Sequence, residues 1–147
     1  MVNDEQIAVQ LNRIKEITKS DILAFALLEA GTRKLSWRHL IGTESLRTSK
    51  IKQSATAGLT AQALRTGKAQ QLSIAKEEER FCLGEAIMMT ENLSHIYIWP
   101  IMYHDFRYRG VIIVGRKKEQ FHKHSIEQAS KYILELEKQF NTSSLLI

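Results

Sequence analysis

The stretch 54–67 has residue types suited to binding a small ligand. It begins with small residues, continues through good helix formers at 61–65 and ends at Gly67, which suits the left-handed position after a helix. Gly58 stands where this helix begins, and a residue without a side chain lets a ligand approach the backbone. The first amides of a helix have no partners within it and lie at its positive end, so they can bind an anion. The stretch therefore predicts either a small-anion site or a connecting helix capped by Thr56 or water.

Aromatic residues on two predicted strands are candidates for the walls of such a site. Trp37 lies on the second strand, and Tyr97 and Trp99 lie on a later one. Aromatic walls exclude water, which strengthens contacts between a charge and backbone dipoles. We therefore expect one cavity that Trp37 and Tyr97 or Trp99 share with the helix amides, those of Leu59 and Thr60. The alternative is that both tryptophans only pack the sheet against helices.

The reactive side chains do not form a catalytic signature. Cys82 is the only cysteine, which excludes an intrachain disulfide and a cysteine-rich zinc site, and no Cys–His motif surrounds it. His122 and His124 stand two positions apart, where a solvated turn is a better interpretation than a metal site. His39 and His95 are conceivable haem ligands, but a histidine hydrogen-bonded at a strand end explains them equally well. We expect no enzyme activity, no metal and no cofactor.

Length and composition indicate one globular domain over 1–147. Of the 147 residues, 44% are hydrophobic and 25% are charged, which allows a sizeable core. The net charge of +5 is scattered, and no aromatic residues alternate with the basic ones as single-stranded nucleic acid requires. The polar N-terminus is unlike a signal peptide, and no apolar run could span a bilayer. These features predict a cytoplasmic protein that binds neither nucleic acid nor membranes.

The hydrophobic pattern predicts helices at both ends of the chain and another over 75–90. Apolar residues at helical spacing predict helices over 4–19 and 125–140, the second capped by Ser125, followed by a tail at 141–147. The segment 75–90 is predicted to be helical around the apolar residues Phe81, Leu83, Ile87 and Met88.

Strand patterns fill the remaining segments. A nearly continuous apolar run at 21–29 and an alternating one at 34–41 predict a hairpin. In its second strand one face is expected to carry Leu35, Trp37, His39 and Ile41. A short edge strand at 68–74 and a pair at 93–103 and 108–116 complete the set, the last being central. Pro100 cannot donate to a strand ladder, so it marks an edge, a bulge or a strand break. The segment 42–53 is predicted to be a loop with one helical turn.

Two motifs resemble those of GAF domains. Gly58-Leu59-Thr60-Ala61, followed by Thr66-Gly67, resembles the G-[IL]-x-[GA]-x-x-x-x-T-G helix, and Trp99-Pro100-Ile101 with Arg109-Gly110-Val111-Ile112 resembles the strand pair of that family. The resemblance covers about residues 3–140. Members of that family mostly bind small molecules or pair protein chains, and few are enzymes. The predicted fold is α+β, an α/β/α sandwich in which a central antiparallel sheet of five to six strands carries the terminal helices on one face and the Gly58 helix with its loops on the other.

The resemblance extends to stand-alone GAF proteins that act as nitrate receptors in nitrate-responsive two-component systems. There nitrate binds the amides that open this helix, beside a tryptophan on the second strand and a Pro-Ile pair on the fourth. This sequence departs from that pattern at Thr60, where a small residue is usual, and at Ile98, where an aromatic residue is usual and only its neighbours are aromatic. The candidate ligand-binding residues are Trp37, Gly58, Leu59, Thr60, Tyr97, Trp99, Pro100 and Ile101.

Two functions follow as hypotheses. In the first, a small anion such as nitrate binds at the Gly58 helix, orders the loops at 42–53 and 75–90, and modulates a sensor histidine kinase. In the second, the pocket has lost its ligand and the terminal helices form a homodimer or a kinase-binding bundle, which exposed apolar residues such as Val9 and Leu134 would indicate. A different small molecule, namely a cyclic nucleotide, an amino acid or haem, is a third alternative.

Overall fold

Six antiparallel strands form one sheet in the computed structural model, which describes residues 4–28, 32–51, 53–54, 58–76, 78–79, 85–103 and 108–142. The strands are β1 (Ile22–Leu28), β2 (Lys34–Ile41), β3 (Gln53–Ser54), β4 (Gln70–Ser73), β5 (His95–Tyr103) and β6 (Tyr108–Arg116). Their order across the sheet is β3-β2-β1-β6-β5-β4, so β6 is central, as predicted.

Within the described ranges, four α-helices of five or more residues cover the two faces of this sheet. They are α1 (Asp4–Thr18), α2 (Gly58–Thr66), α3 (Ala86–Thr90) and α4 (Lys123–Thr142). Apolar residues of α1 and α4 share a core cluster with Phe25, and residues of α2 and α3 share a second cluster with Ala24 and Ala26. We call these two sides the terminal-helix face and the α2 face. The predicted α/β/α arrangement, with α2 opposite the terminal helices, is confirmed.

The central strands are buried on both faces, which explains their continuous apolar sequences. Successive residues of a strand point to opposite faces. In β1, Leu23 and Phe25 enter the terminal-helix core, whereas Ala24 and Ala26 enter the α2 core. The same alternation assigns every residue of β5 to one side, and this decides which of its side chains can meet α2.

A bulge in β2 changes which residues share a face. Trp37 pairs with Ala26 and His39 pairs with Phe25. Arg38 is therefore an extra residue of β2 that has no partner between Phe25 and Ala26 of β1. Leu35 and Trp37 therefore pack on the α2 face, while Ile41 packs with the terminal-helix core and His39 stacks on Phe25 at a centroid distance of 6.2 Å. The prediction that these four residues share one face is wrong. Side chains alternate between the faces of a strand, and one inserted residue sends the later odd-numbered side chains to the opposite face.

The predicted helix boundaries need two corrections. The last helix begins at Lys123 rather than at Ser125, and the N–H of Ile126 already donates to the carbonyl of His122 at 3.0 Å. Ser125 therefore lies within the first turn, and the helix runs to Thr142, into the segment predicted to be a tail. The segment 75–90 is not one helix either, because Glu85 has extended backbone with φ −72° and ψ 154° immediately before the helix Ala86–Thr90.

Three smaller predictions, for the loop after β2, for Gly67 and for Pro100, are confirmed. The loop after β2 contains one 3₁₀ turn at Thr48–Lys50, and the N–H of Gly67 (φ +69°) closes α2 by donating to the carbonyl of Ala63 at 2.9 Å. β4 pairs with β5 only as far as Ile98. Pro100 follows that point, where β5 forms the edge of the sheet. Within the described ranges, no helix has both the length and the apolar character needed to cross a membrane.

Candidate functional site

The start of α2 is bound by a carboxylate of the chain itself. The N–H of Thr60 donates to Glu85 Oε1 at 2.9 Å, and Thr60 and Glu85 are only 0% and 8% exposed. A carboxylate is favourable here because it satisfies a free helix amide and lies at the positive end of the helix. The sequence predicted that this amide would be open to an external anion. The structure corrects that prediction, since Glu85 supplies the negative charge.

Gly58 makes this contact possible. Its φ of +89° belongs to the left-handed region that favours glycine, and a Cβ at this position would lie 3.0 Å from Glu85 Oε1. The expected close approach to a bare backbone is therefore present, but the approaching group is a side chain of the protein. The proposed Thr56 cap lies outside the described residues.

A second buried carboxylate stands at the other end of α3. Glu91 is 2% exposed and accepts the backbone N–H groups of Glu44 at 2.8 Å and Ser45 at 3.1 Å, together with the hydroxyl of Thr48. It thereby fixes the loop between β2 and β3 to the end of α3. The short helix α3 thus lies between two acidic residues, one bound to α2 and one bound to this loop.

Sequence reasoning missed both acidic residues. Glu85 and Glu91 flank the segment 86–90, and nothing in the sequence distinguishes them from solvent-exposed charges at the ends of a surface helix. One general rule could have identified them. A helix start or a tight loop has backbone amides without partners, and a carboxylate of the chain can accept from them when it is buried.

Trp37 brings an unsatisfied donor to the α2 face. Its side chain packs against the same apolar cluster as Leu59 of α2. The indole Nε1 is buried, and no hydrogen-bond partner for it exists within the described residues. An unpaired buried donor costs about 1–3 kcal/mol, so it calls for an explanation. Trp37 also lines a cavity of about 420 Å³ whose described lining is Leu35, Ser36, Trp37, Ser49, Lys50 and Ile51.

The remaining aromatic candidates lie on the opposite face of the sheet. Trp99 and Ile101 belong to the terminal-helix core, and Tyr97 packs against it. The indole N–H of Trp99 donates to Ser130 Oγ on α4 at 2.9 Å, so this tryptophan is bound within the fold. The predicted cavity that Tyr97 or Trp99 would share with Trp37 and α2 is therefore wrong. The physical reason is the strand period, which sends these odd-numbered side chains away from α2.

Pro100 is the β5 candidate that remains on the α2 face. It alternates with Trp99 and Ile101 and follows Ile96 and Ile98, which both belong to the α2 core. Of the eight candidates, the structure thus brings five to the α2 side: Trp37, Gly58, Leu59, Thr60 and Pro100.

Tyr97 lines a different cavity, of about 490 Å³, between the sheet and the start of α4. Phe121 and Ile126 supply its apolar wall and Lys123 a positive charge, and the Phe121 ring meets that of Tyr97 edge-on at 6.5 Å. Burial raises the pKa of the Tyr97 phenol above its usual value of 10.0, because desolvation disfavours the anion.

Of the predicted haem-ligand candidates His39 and His95, His95 makes a hydrogen bond at a strand end. His95 Nδ1 lies 2.7 Å from Ser73 Oγ at the end of β5, which agrees with the hydrogen-bonded alternative. Cys82 lies outside the described residues. In the part of the chain that the structure describes, no group of three or more His, Cys, Asp or Glu side chains is arranged to hold a metal ion.

No family model and no curated protein matches the sequence. Solved structures do match the fold. The GAF domain of a two-component sensor histidine kinase from Bacillus halodurans is 17% identical with a TM-score of 0.71, over 93% of this chain and 92% of that one. A Staphylococcus aureus NreA protein, described as mutated in its nitrate binding site, is 20% identical with a TM-score of 0.68, over 89% of this chain and 98% of that one. A GAF domain/HD domain protein from Geobacter sulfurreducens is 12% identical with a TM-score of 0.68, over 91% and 89%.

Proposed function

Because the chain has the GAF fold, we propose that it is a sensor that binds a small ligand on the α2 face of its sheet. The observation that carries this proposal is the buried indole N–H of Trp37, which has no acceptor within the described residues. A ligand with an acceptor atom would satisfy this donor and recover its desolvation cost. Lys50 lines the same cavity, and its positive charge favours a ligand that is negatively charged.

The ligand class that fits these groups is a small monovalent anion, and nitrate is the first to test. Nitrate has three acceptor oxygens and one charge, so an indole N–H and backbone amides suffice to bind it without a cofactor. The nitrate binding site named for the Staphylococcus aureus NreA structure supports this choice.

The proposed output is a protein contact with a sensor histidine kinase. The Bacillus halodurans neighbour is the GAF domain of such a kinase, which supports this class of partner. Ligand occupancy would shift the population of α3 and of the loop that Glu91 holds, and the kinase would recognise the altered surface.

Calorimetric titration with nitrate, nitrite, chloride and a cyclic nucleotide tests the proposal. We expect heat from nitrate or nitrite, and a loss of about ten-fold in affinity for Trp37→Phe, which removes the donor. Trp99→Phe removes the same atoms from the other face of the sheet and should bind as the wild type does. Silence from every small anion, or equal affinity for Trp37→Phe and the wild type, would contradict the proposal.

A second candidate function is ligand-independent association through α1 and α4. Val9 and Leu134 are 66% and 58% exposed on these helices, as that hypothesis requires. Light scattering coupled to size exclusion would show a dimer that Val9→Lys or Leu134→Lys dissociates. A chain that stays monomeric at all concentrations would remove this candidate.

A further inference from the structure

We infer that Glu85 is an intramolecular competitor for the ligand: an anion uses the N–H of Thr60 only after displacing the Glu85 carboxylate. This inference rests on the proposed function and specifies its regulation. The structure then represents a closed, self-occupied state, in which the protein's own acidic group stands where the anion would bind.

The contact has the properties of a bound anion. Glu85 Oε1 lies 2.9 Å from the amide nitrogen of Thr60, and both residues are buried. Gly58 leaves room for the carboxylate to come within 3.0 Å of the place where a Cβ would stand. Hydrogen bonds between a carboxylate and helix-start amides are charge-assisted and stronger than neutral ones. An external anion therefore competes with a favourable internal contact.

The two anions cannot bind together. Each would require the same amide, and two negative charges at hydrogen-bond distance from one nitrogen repel strongly in a buried environment. The repulsion falls as the Glu85 carboxylate moves away. Binding of the external anion and departure of Glu85 are therefore coupled in one step. A neutral ligand would not meet this repulsion and so would not displace Glu85.

Movement of Glu85 can be transmitted to the protein surface through α3. Glu85 immediately precedes α3, and Glu91 immediately follows it. Movement at the first residue shifts a helix of five residues whose other end holds the N–H groups of Glu44 and Ser45. The Glu44 carboxylate in turn pairs with Lys117 Nζ at 3.1 Å, just after β6.

Nitrate titration of charge variants tests the inference. Glu85→Ala and Glu85→Gln remove the competing charge, and we expect them to bind nitrate about ten-fold more tightly than the wild type, since a charge-assisted contact no longer opposes binding. Glu16→Gln removes the same charge from an exposed position on α1, on the other face of the sheet, and should change the affinity less than two-fold by this argument.

The outcomes separate the inference from the proposed function. Equal nitrate affinity in the wild type and both Glu85 variants overturns the inference and leaves the function standing. Binding by Glu85→Ala with a silent wild type supports the inference and overturns the function. Silence from all variants overturns both.

Nuclear magnetic resonance of the wild type gives an independent readout, which also decides the matter if the variants fail to fold. Nitrate should shift the Thr60 amide resonance and the Glu85 side-chain carboxyl carbon together, with the same dependence on concentration. Saturation with nitrate that leaves these two signals in place overturns the inference.

Discussion

Glu85 accepts the backbone N–H of Thr60 at 2.9 Å, although the two residues are 25 positions apart in the sequence. This bond joins the extended residue before α3 to the first turn of α2. A carboxylate at a helix start contributes about 0.3–1 kcal/mol when exposed and up to about 2 kcal/mol when partly buried. The contact therefore stabilises the closed arrangement while remaining weak enough for a ligand to replace.

Gly58→Ala should destabilise the fold more than Gly67→Ala. Both glycines have positive φ, so each alanine costs about 1 kcal/mol in backbone strain. At Gly58 the new Cβ also comes to 3.0 Å from Glu85 Oε1, whereas at Gly67 the nearest atom is 3.7 Å away, at Met102 Cε. Urea unfolding measures both. Equal losses of unfolding free energy would mean that Glu85 makes no steric contact with a side chain at position 58.

Glu91→Gln should loosen the loop between β2 and β3. A glutamine oxygen can accept one of the two N–H groups from Glu44 and Ser45, and its amide then faces the other donor. The unpaired buried group should cost about 2 kcal/mol of unfolding free energy. Faster hydrogen exchange at these two amides would locate the effect.

Glu135→Gln is the control for that experiment. It breaks the exposed pair with Lys138, whose atoms are 3.3 Å apart, and exposed pairs contribute little. If Glu91→Gln unfolds at the same urea concentration as Glu135→Gln, the buried contacts of Glu91 do not hold the loop.

The two tryptophans form a matched pair for stability. Phenylalanine removes the same atoms at each position, but Trp99 loses a hydrogen bond to Ser130 at 2.9 Å, whereas Trp37 loses a buried donor without a partner in the described chain. We expect Trp99→Phe to cost at least about 1 kcal/mol more than Trp37→Phe in the absence of ligand. The opposite order of unfolding midpoints would show that the Trp37 indole N–H has an acceptor after all.

Tyr97 should make the fold sensitive to alkaline pH. Its folded pKa is raised above 10.0 by burial, so the folded state binds more protons than the unfolded state between these two values. The associated stability is complete below pH 10.0 and is lost as the pH rises through the folded pKa. Tyr97→Phe should lack this part of the loss in a series of urea unfolding curves. Parallel pH dependence of the two proteins would contradict the prediction.

Much of the fold follows from periodicity. The continuous apolar run of β1 and the 3.6-residue spacing of α1 predicted a sheet buried on both sides, because such sequences leave few other ways to remove apolar surface from water. The bulge at Arg38 could not be predicted, since the strand reads as a regular alternation and only its pairing with β1 reveals the additional residue.

The candidate site was predictable only in part. The small residues and glycines of α2 identified a helix start that accepts a negative charge, and this is what the structure contains at Thr60. The origin of the charge was hidden, because Glu85 comes from a distant segment whose burial depends on the assembled fold. Tyr97 and Trp99 lie on the opposite side because the strand period, and not aromatic character, decides which face of the sheet a side chain joins.

The extra residue at Arg38 divides a single strand between two compartments. Of its odd-numbered side chains, Leu35 and Trp37 before the bulge face the α2 side, whereas His39 and Ile41 after it face the layer of terminal helices. If the proposed anion binds, a fluorine label on the Trp37 ring would sense its entry, while the ring of His39, stacked on Phe25, would sense rearrangement of the helices. Comparing the two signals within one molecule would distinguish binding of the ligand from the structural change that binding causes in the terminal helices.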